Sequence, residues 1–174
     1  MNLLIVDDEY LVVEEVVTVT DWELLGITEI YSATNAVSAV RILNEKKIDI
    51  MICDIEMPQT DGLELSKKAK ENFPDLEIVM LTSHAEFNYV RNALRYGCYD
   101  YLLKPVMEDD IIKVMKNLVT KIERERHQAQ LQEEGIVWNQ LKPVWKEKYW
   151  EEMLRGLRDD PNRECEEYEE KQWK

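Results

Sequence analysis

The sequence has little positive charge and no long apolar run, and each shortage excludes a class of protein. Of its 174 residues, 22 are Lys or Arg and 36 are Asp or Glu, giving a formal net charge of −14. Nucleic acids and anionic membrane surfaces both attract a basic face, so the chain is not expected to bind either by itself. No apolar stretch approaches the roughly 20 residues that a membrane-spanning helix requires.

Cysteine is also scarce, and the three cysteines are not spaced for a disulfide framework or a zinc site. Cys53 lies inside an apolar strand pattern and Cys98 lies beside another, which favours reduced structural thiols in a cytosolic protein. The chain begins with Met1-Asn2 directly before a strand pattern, without the basic segment that opens a signal peptide. We therefore expect a cytoplasmic protein without membrane contact.

Short apolar runs alternate with helical patterns through about the first 105 residues, and four of the runs end at a polar residue. In chain order, these residues are Asp7 with Asp8, Asp54, Thr82 and Lys104. Such alternation is typical of parallel strands that are buried on both faces. Parallel strands share one carboxyl-end edge, where open α/β sheets place their sites. The pattern predicts an α/β fold with a doubly wound, five-stranded parallel sheet that gathers these side chains at one edge.

The element boundaries follow from the same periodicity and from Gly and Pro punctuation. Strands are predicted at 2–6, 28–32, 48–53, 77–81 and 99–103, and helices at 10–20, 36–45, 63–72, 86–96 and from about 107 onward. Gly97 follows the fourth helix at a position where glycine commonly ends a helix.

The residue types at the sheet edge suit a divalent cation and a phosphoryl group. Asp7, Asp8 and Asp54 supply the oxygen ligands that Mg²⁺ prefers. A metal and Lys104 would offset the repulsion among these carboxylates, so that Asp54 stays ionised and can attack phosphorus. Thr82 can donate a hydrogen bond to a phosphoryl oxygen. Taken singly, an aspartate after a strand is often a helix cap and Lys104 is a loop lysine; the joint pattern favours the site.

Several short motifs resemble those of the receiver domain of two-component response regulators, over about residues 1–125. They are LIVDDE at 4–9, DIEMP at 54–58, DG at 61–62, LTS at 81–83 and YLLKP at 101–105. The resemblance implies a flavodoxin-like sheet with strand order 2-1-3-4-5. It also implies phosphorylation by a sensor histidine kinase in a reaction that depends on Mg²⁺ or Mn²⁺.

The same resemblance assigns a role to each edge residue. Asp54 would be the phosphoacceptor, and Asp7 and Asp8 the acidic metal pair. Asp54 and the backbone carbonyl of Glu56 would complete the metal ligands. Thr82 and Lys104 would bind the phosphoryl group. Tyr101 would be the aromatic switch that turns inward as the threonine moves.

Further motifs resemble the YesN-like regulators, which carry an AraC-type helix-turn-helix region at the C-terminus. They are DW at 21–22, SHAEF at 83–87 and GCYDYLLKP at 97–105. No helix-turn-helix region occurs among the 174 residues. The chain is therefore either a stand-alone regulator or a fragment of a longer one. Any contact with DNA, and any control of transcription, would require that further region.

Residues 126–174 are expected to form a helical extension or the truncated start of an output domain, after a receiver at 1–125. Ile111, Met115, Leu118 and Ile122 share one helix face, and the apolar stripe then weakens. We expect Gly135 to break the helix and Pro143 to kink or restart it. A second stripe at Trp138, Leu141, Trp145 and Tyr149 would be exposed in a monomer, so we expect a homodimer.

Two other functions stay open on the sequence alone. One is an aspartate-nucleophile phosphatase, although such enzymes usually have a second aspartate two residues after the nucleophile, where this chain has Glu56. The other is a stand-alone dimerisation or interaction module whose acidic site is vestigial. The leading hypothesis is a signalling switch that catalyses only its own phosphorylation and dephosphorylation and is not otherwise an enzyme.

Overall fold

The computed structural model describes residues 1–58, 61–83 and 97–154, with side chains described as far as residue 132. Strands alternate with helices along the first part of the chain. The strands are β1 (Asn2–Val6), β2 (Glu29–Ala33), β3 (Ile50–Asp54), β4 (Glu77–Thr82) and β5 (Asp100–Leu103). The described α-helices are α1 (Tyr10–Thr18), α2 (Ala36–Glu45), α3 (Gly62–Asn72) and α4 (Glu108–Leu154), and a short 3-10 helix covers Glu23–Leu25.

The five strands form one parallel sheet in the order β2-β1-β3-β4-β5. This confirms the predicted fold class and strand order. The observed bounds of β2 and β3 lie one or two residues later than the sequence patterns placed them. The helix predicted at 86–96 lies outside the described residues. Gly97, which follows it, has a left-handed φ of 79°, a conformation that favours glycine.

Apolar side chains cover both faces of the sheet because successive strand residues point to opposite sides. Leu3 and Ile5 of β1 pack with helices α1 and α4 on one face. Leu4 and Val6 pack with α2 and α3 on the other. Strands β3 and β4 are buried along their whole length. This two-sided burial explains why those strands appear in the sequence as nearly continuous apolar runs.

Side-chain caps fix where two of the helices begin. The Asn35 side chain accepts a hydrogen bond from the Ser38 amide (2.9 Å) at the start of α2. The Asp61 carboxylate accepts one from the Leu63 amide (2.9 Å) at the start of α3. Each cap satisfies an amide that has no partner within its helix. The cap at Asp61 also sets the end of the loop that follows β3.

Helix α4 is longer than the sequence predicted. It is continuous from Glu108 to Leu154, so the expectations that Gly135 ends it and that Pro143 restarts it are wrong. A helix-interior glycine costs about 1 kcal/mol and a proline about 3 kcal/mol, and good helix formers around them can offset these local costs. None of the described helices is both long and apolar enough to cross a membrane.

By its internal contacts, the chain divides into two units, Met1–Glu123 and Arg124–Lys174. All five strands and the first turns of α4 belong to the first unit. Ile111, Met115, Leu118 and Ile122 of α4 are buried there, as their spacing predicted. Of the second unit, the structure describes the helical residues 124–154.

Candidate functional site: an acidic cluster with a lysine

The carboxyl edge of the sheet brings together the residues that the apolar runs singled out. Asp7 directly follows β1, Asp54 is the last residue of β3, and Thr82 is the last residue of β4. These three strands are neighbours in the sheet. Lys104 directly follows β5, and its amide donates a hydrogen bond to the Thr82 carbonyl (2.9 Å). The predicted convergence on one edge is therefore found.

Three carboxylates form the centre of this site. Asp7, Asp8 and Asp54 each offer an oxygen, and these oxygens all lie within 4.8 Å of one another. Asp7 is fully buried and Asp54 is 3 % exposed, while Asp8 is the most accessible of the three. The Asp7 side chain is fixed from its own turn, because its Oδ1 accepts a hydrogen bond from the Glu9 amide (2.9 Å). Such a compact oxygen cluster matches the donor set of a hard divalent cation.

Lys104 is the counter-charge within the cluster. Its Nζ lies 2.6 Å from Oδ2 of Asp7 and 3.0 Å from Oδ2 of Asp54. Burial alone would lower the pKa of Lys104, but the two carboxylates outweigh it and raise the pKa above its ordinary value. The lysine is therefore charged at neutral pH. One ammonium balances one of three carboxylates, and the cluster keeps an excess of negative charge.

The carboxyl group of Asp54 is held in an unfavourable environment for a charge. Burial raises its pKa, and the nearby Asp7 adds to this effect. The hydrogen bond and charge of Lys104, together with the Glu56 backbone amide, oppose the rise without cancelling it. A bound cation would stabilise the ionised form, because an opposite charge at short range favours a carboxylate.

One oxygen of Asp54 has no partner among the described protein groups. Oδ1 is buried and accepts no hydrogen bond from any residue the structure describes, while Oδ2 contacts Lys104. Oδ2 of Asp7 likewise accepts no hydrogen bond of good geometry there, although Lys104 lies beside it. Buried carboxylate oxygens in proteins normally have partners. These two atoms therefore fit the expectation that a cation or a phosphoryl group completes the site.

Thr82, Glu56 and Tyr101 surround this centre in different ways. Thr82 is buried at the end of the strand next to β3. The side chain of Glu56 is exposed, and its backbone amide helps to lower the pKa of the Asp54 carboxyl group. Tyr101 is half-buried on β5, three residues before Lys104, and packs against the core that α2 and α3 cover. The roles that the sequence analysis gave to these three residues stay predictions.

Sequence reasoning missed one residue that contacts the site. Gly62 opens α3, and a Cβ atom placed there would lie 1.8 Å from the Asp54 carbonyl oxygen. From its composition the DG pair at 61–62 suggested a loop, and it was also one of the motifs that resemble the receiver domain. Nothing in that pattern indicated that the helix start packs against the backbone of the candidate nucleophile.

Comparison with known proteins identifies the family. The sequence profile of the response regulator receiver domain matches residues 3–116. The chain belongs to this family. Its five-stranded sheet with the 2-1-3-4-5 order is the receiver fold. Receivers in general bind Mg²⁺ at an acidic pocket, and this chain has a cluster of aspartates at the edge of its sheet.

Transcriptional regulators are among the relatives of this receiver. It is 34 % identical over 124 residues to the uncharacterized transcriptional regulatory protein YesN of Bacillus subtilis, covering 71 % of this chain and 34 % of that protein. It is 32 % identical over 127 residues to the response regulator SaeR of Staphylococcus aureus, covering 73 % of this chain and 54 % of that protein. The chain thus spans a third to about half of the length of these relatives.

Solved structures agree with this assignment. The receiver superposes on the REC domain of AraT, a response regulator from Geobacillus stearothermophilus, with a TM-score of 0.67 and 30 % identity, covering 72 % of this chain and 97 % of that one. The corresponding values for NtrX from Brucella abortus are 0.68 and 28 %, with 75 % of this chain and 29 % of that one covered. Receivers act as switches in signalling.

Proposed function

We propose that this receiver accepts a phosphoryl group on Asp54 from a sensor histidine kinase and changes conformation in response. The observation that carries the proposal is the state of the Asp54 carboxylate. It is buried beside Lys104, and its Oδ1 accepts no hydrogen bond from the described residues. An oxygen that is held in place and not engaged is available as a nucleophile.

The transfer step balances without an added oxidant or base. An oxygen of the ionised Asp54 attacks phosphorus, and a new P–O bond forms. The P–N bond of a phosphohistidine donor breaks, and its electron pair returns to the imidazole, which takes a proton from solvent. With acetyl phosphate, the P–O bond to acetate breaks instead, and acetate leaves. The attacking carboxylate carries no proton, so no general base is needed.

The acidic cluster would hold Mg²⁺ or Mn²⁺ during this step. Asp7, Asp8, Asp54 and the backbone carbonyl of Glu56 are the proposed ligands, by resemblance to the family. When bound, the cation supplies positive charge that offsets the carboxylates and the phosphoryl oxygens.

Lys104 would exchange partners when the phosphoryl group arrives. In the structure, its Nζ is shared between Asp7 and Asp54. A phosphoryl oxygen on Asp54 offers it a stronger charge-assisted contact. Thr82 would donate its hydroxyl hydrogen to another phosphoryl oxygen, and Tyr101 would then turn inward beside β4. Met80 of β4 pairs in register with Tyr101 of β5, which places the tyrosine one strand from the buried threonine.

The output is proposed to be transcriptional. YesN is described as a transcriptional regulatory protein, and the chain covers only part of its length. Residues 1–125 would form the receiver, and 126–174 a helical extension or the beginning of an output domain. DNA contact would require a further C-terminal region, as in the AraC-type family. We further propose a cytoplasmic homodimer without membrane contact.

Intact-mass spectrometry after incubation with acetyl phosphate and Mg²⁺ tests the proposal. The chain should gain one phosphoryl group, which hydroxylamine removes because it is an acyl phosphate. Asp54→Asn should gain none, since an amide oxygen is a poor nucleophile. Asp100→Asn is a matched control, because Asp100 is an aspartate at the opposite end of a strand. A hydroxylamine-sensitive adduct on Asp54→Asn would assign the acceptor elsewhere.

A further inference from the structure

The start of helix α3 packs directly against the main chain of Asp54. Gly62 donates its amide hydrogen to the Ile55 carbonyl (2.9 Å). An added Cβ at Gly62 would lie 1.8 Å from the Asp54 carbonyl oxygen, 2.8 Å from the Asp54 carbonyl carbon and 3.1 Å from the Ile55 Cα. All three neighbours are backbone atoms. They cannot rotate away as the tip of a flexible side chain could.

The need for glycine at this position is steric. Its φ lies outside the left-handed region in which Gly26 and Gly97 are found. Any L-residue could adopt its helical backbone conformation, so only the missing Cβ makes glycine necessary. Because glycine has no side chain, the start of α3 can contact the backbone of Asp54, and any other residue at this position would prevent that contact.

The peptide that Gly62 touches also orients the nucleophile. On its other side, the Ile55 amide donates to the Leu81 carbonyl of β4 (3.0 Å). The next amide, that of Glu56, helps to lower the pKa of the Asp54 carboxyl group and so lies close to it. The segment 54–56 is thus held between β4 and the start of α3, and its position determines where the carboxylate lies relative to Lys104, now 3.0 Å away.

We infer that Gly62 is a positioning residue for phosphorylation, acting through the backbone of Asp54. The inference rests on the proposed function. Any side chain at this position must push the 54–55 peptide or the helix start aside, because a Cβ at 1.8 Å from a carbonyl oxygen is not tolerated. Displacement of a reacting group by about 1 Å can slow a reaction by roughly 100-fold. Gly62→Ala should therefore slow phosphorylation of Asp54 much more than it disturbs the fold.

Gly97→Ala supplies the matched control. Gly97 lies before β5, at the edge of the sheet opposite the acidic cluster. Among the residues that the structure describes, a Cβ there would meet only Lys70 Cγ, at 3.8 Å. The cost of that substitution comes from its positive φ and not from a clash with the site. Both alanine variants should lose stability. Only Gly62→Ala should alter Asp54.

The experiment measures the rate constant for phosphorylation by acetyl phosphate with Mg²⁺, at a temperature where circular dichroism shows each protein folded. We expect Gly62→Ala to be at least about tenfold slower than wild type, and Gly97→Ala to stay within about twofold. The amide proton resonance of Glu56, recorded without metal, reports the position of this amide relative to the Asp54 carboxylate. It should shift in Gly62→Ala and keep its position in Gly97→Ala.

The outcomes separate this inference from the proposed function. If wild type takes no phosphoryl group on Asp54, the proposed function fails. If wild type is phosphorylated, and if folded Gly62→Ala matches wild type in phosphorylation rate and in its Glu56 resonance, the inference is overturned while the proposed function stands.

If Gly62→Ala does not fold, Asp61→Ala replaces it, since that substitution removes the cap on the Leu63 amide without adding bulk. A rate at least threefold lower supports the inference, and a smaller change overturns it.

Discussion

Nζ of Lys104 lies 2.6 Å from Oδ2 of Asp7, a shorter contact than the 3.0 Å that separates it from Oδ2 of Asp54. Lys104, which follows β5, therefore links Asp7 at the end of β1 to Asp54 at the end of β3. It stabilises the metal-free site by balancing part of the carboxylate charge. The same ammonium is proposed to bind the phosphoryl group, so the contacts that it makes with Asp7 and Asp54 in the unphosphorylated protein must be able to break.

The first prediction concerns this bridge. Lys104→Met should lower the metal-free free energy of unfolding by about 2–4 kcal/mol, because removing one partner of a buried ion pair leaves uncompensated charge. Millimolar Mg²⁺ should recover more stability in this variant than in wild type. Urea unfolding with and without Mg²⁺ measures both effects. Lys113→Met, on an exposed position of α4, is the control. Equal Mg²⁺ responses in wild type and Lys104→Met would contradict the bridging role.

The second prediction concerns metal binding. Asp8→Asn should weaken Mg²⁺ binding, as measured by calorimetry, while leaving the metal-free stability within about 1 kcal/mol, because Asp8 is the accessible member of the cluster. Lys104→Met should keep metal binding and lose the response that follows phosphorylation. The role assignment would be reversed if Lys104→Met lost the metal and Asp8→Asn kept it.

The third prediction is a pH dependence. The pKa of Asp54 is raised in the folded protein, mainly by burial, so folding favours its protonated form. This preference stabilises the folded protein at pH values below 3.8, the ordinary pKa of an aspartate. The stabilisation is lost as the pH rises through the raised pKa of Asp54. Metal-free Asp54→Asn has no carboxyl group at this position, so it does not lose stability in this way as the pH rises. Its free energy of unfolding relative to wild type should therefore increase as the pH rises from acid to neutral.

Paired urea titrations of wild type and Asp54→Asn between acid and neutral pH test this sign. Mg²⁺ should reduce the difference, because a cation favours the ionised carboxylate of the wild type. A difference that shrinks as pH rises in the metal-free proteins would show that Lys104 outweighs burial at Asp54.

The sequence was sufficient to predict the edge residues for a simple physical reason. Buried parallel strands are apolar along their length, so the first polar residue after each run marks the shared edge, as Asp54 and Thr82 do. The contact between Lys104 and Asp7 was not predictable, because it depends on distances across the sheet. The packing of Gly62 on Asp54 was hidden for the same reason. The prediction that the helix restarts at Pro143 was wrong, because a local helix cost does not decide whether a long helix continues.

The fourth prediction concerns a second ion-pair group, at the opposite edge of the sheet. Glu77 of β4 is buried, and its two carboxylate oxygens each lie 3.0 Å from a lysine, Lys70 of α3 and Lys121 of α4. Lys121 also lies over the Tyr99 ring, 5.3 Å from its centroid. This group joins helices from both faces of the sheet to one strand.

Lys121→Met should lower the free energy of unfolding by about 1–2 kcal/mol, since Glu77 would keep a single cation. The control is Lys68→Met, which removes an exposed pair with Glu64 and should leave the free energy of unfolding almost unchanged, because water screens the two charges. Hydrogen exchange should show faster opening of α4 near Lys121 in the first variant alone. Equal losses in the two variants would mean that burial of Glu77 adds nothing to the pair.

The last prediction concerns the part of helix α4 that lies beyond residue 123. The α4 helix continues through residues 124–154, beyond the unit that contains the sheet. Between Glu123 and Glu134 the sequence is almost entirely polar, and Leu131 is exposed. An isolated helix of this kind gains little stability without a packing partner. The sequence spacing of Trp138, Leu141 and Trp145 suits contact with the same segment of a second chain.

Analytical ultracentrifugation, with and without beryllofluoride and Mg²⁺, should therefore show a dimer that tightens when Asp54 is occupied, by a few kcal/mol at most. Leu141→Glu should dissociate it because a charge would enter the apolar stripe. Gln140→Glu adds the same charge at a position that helical spacing places away from that stripe, and should leave the dimer intact. Monomers under both conditions up to roughly 100 µM, where association is worth about 5 kcal/mol, would exclude dimerisation as the output of this chain.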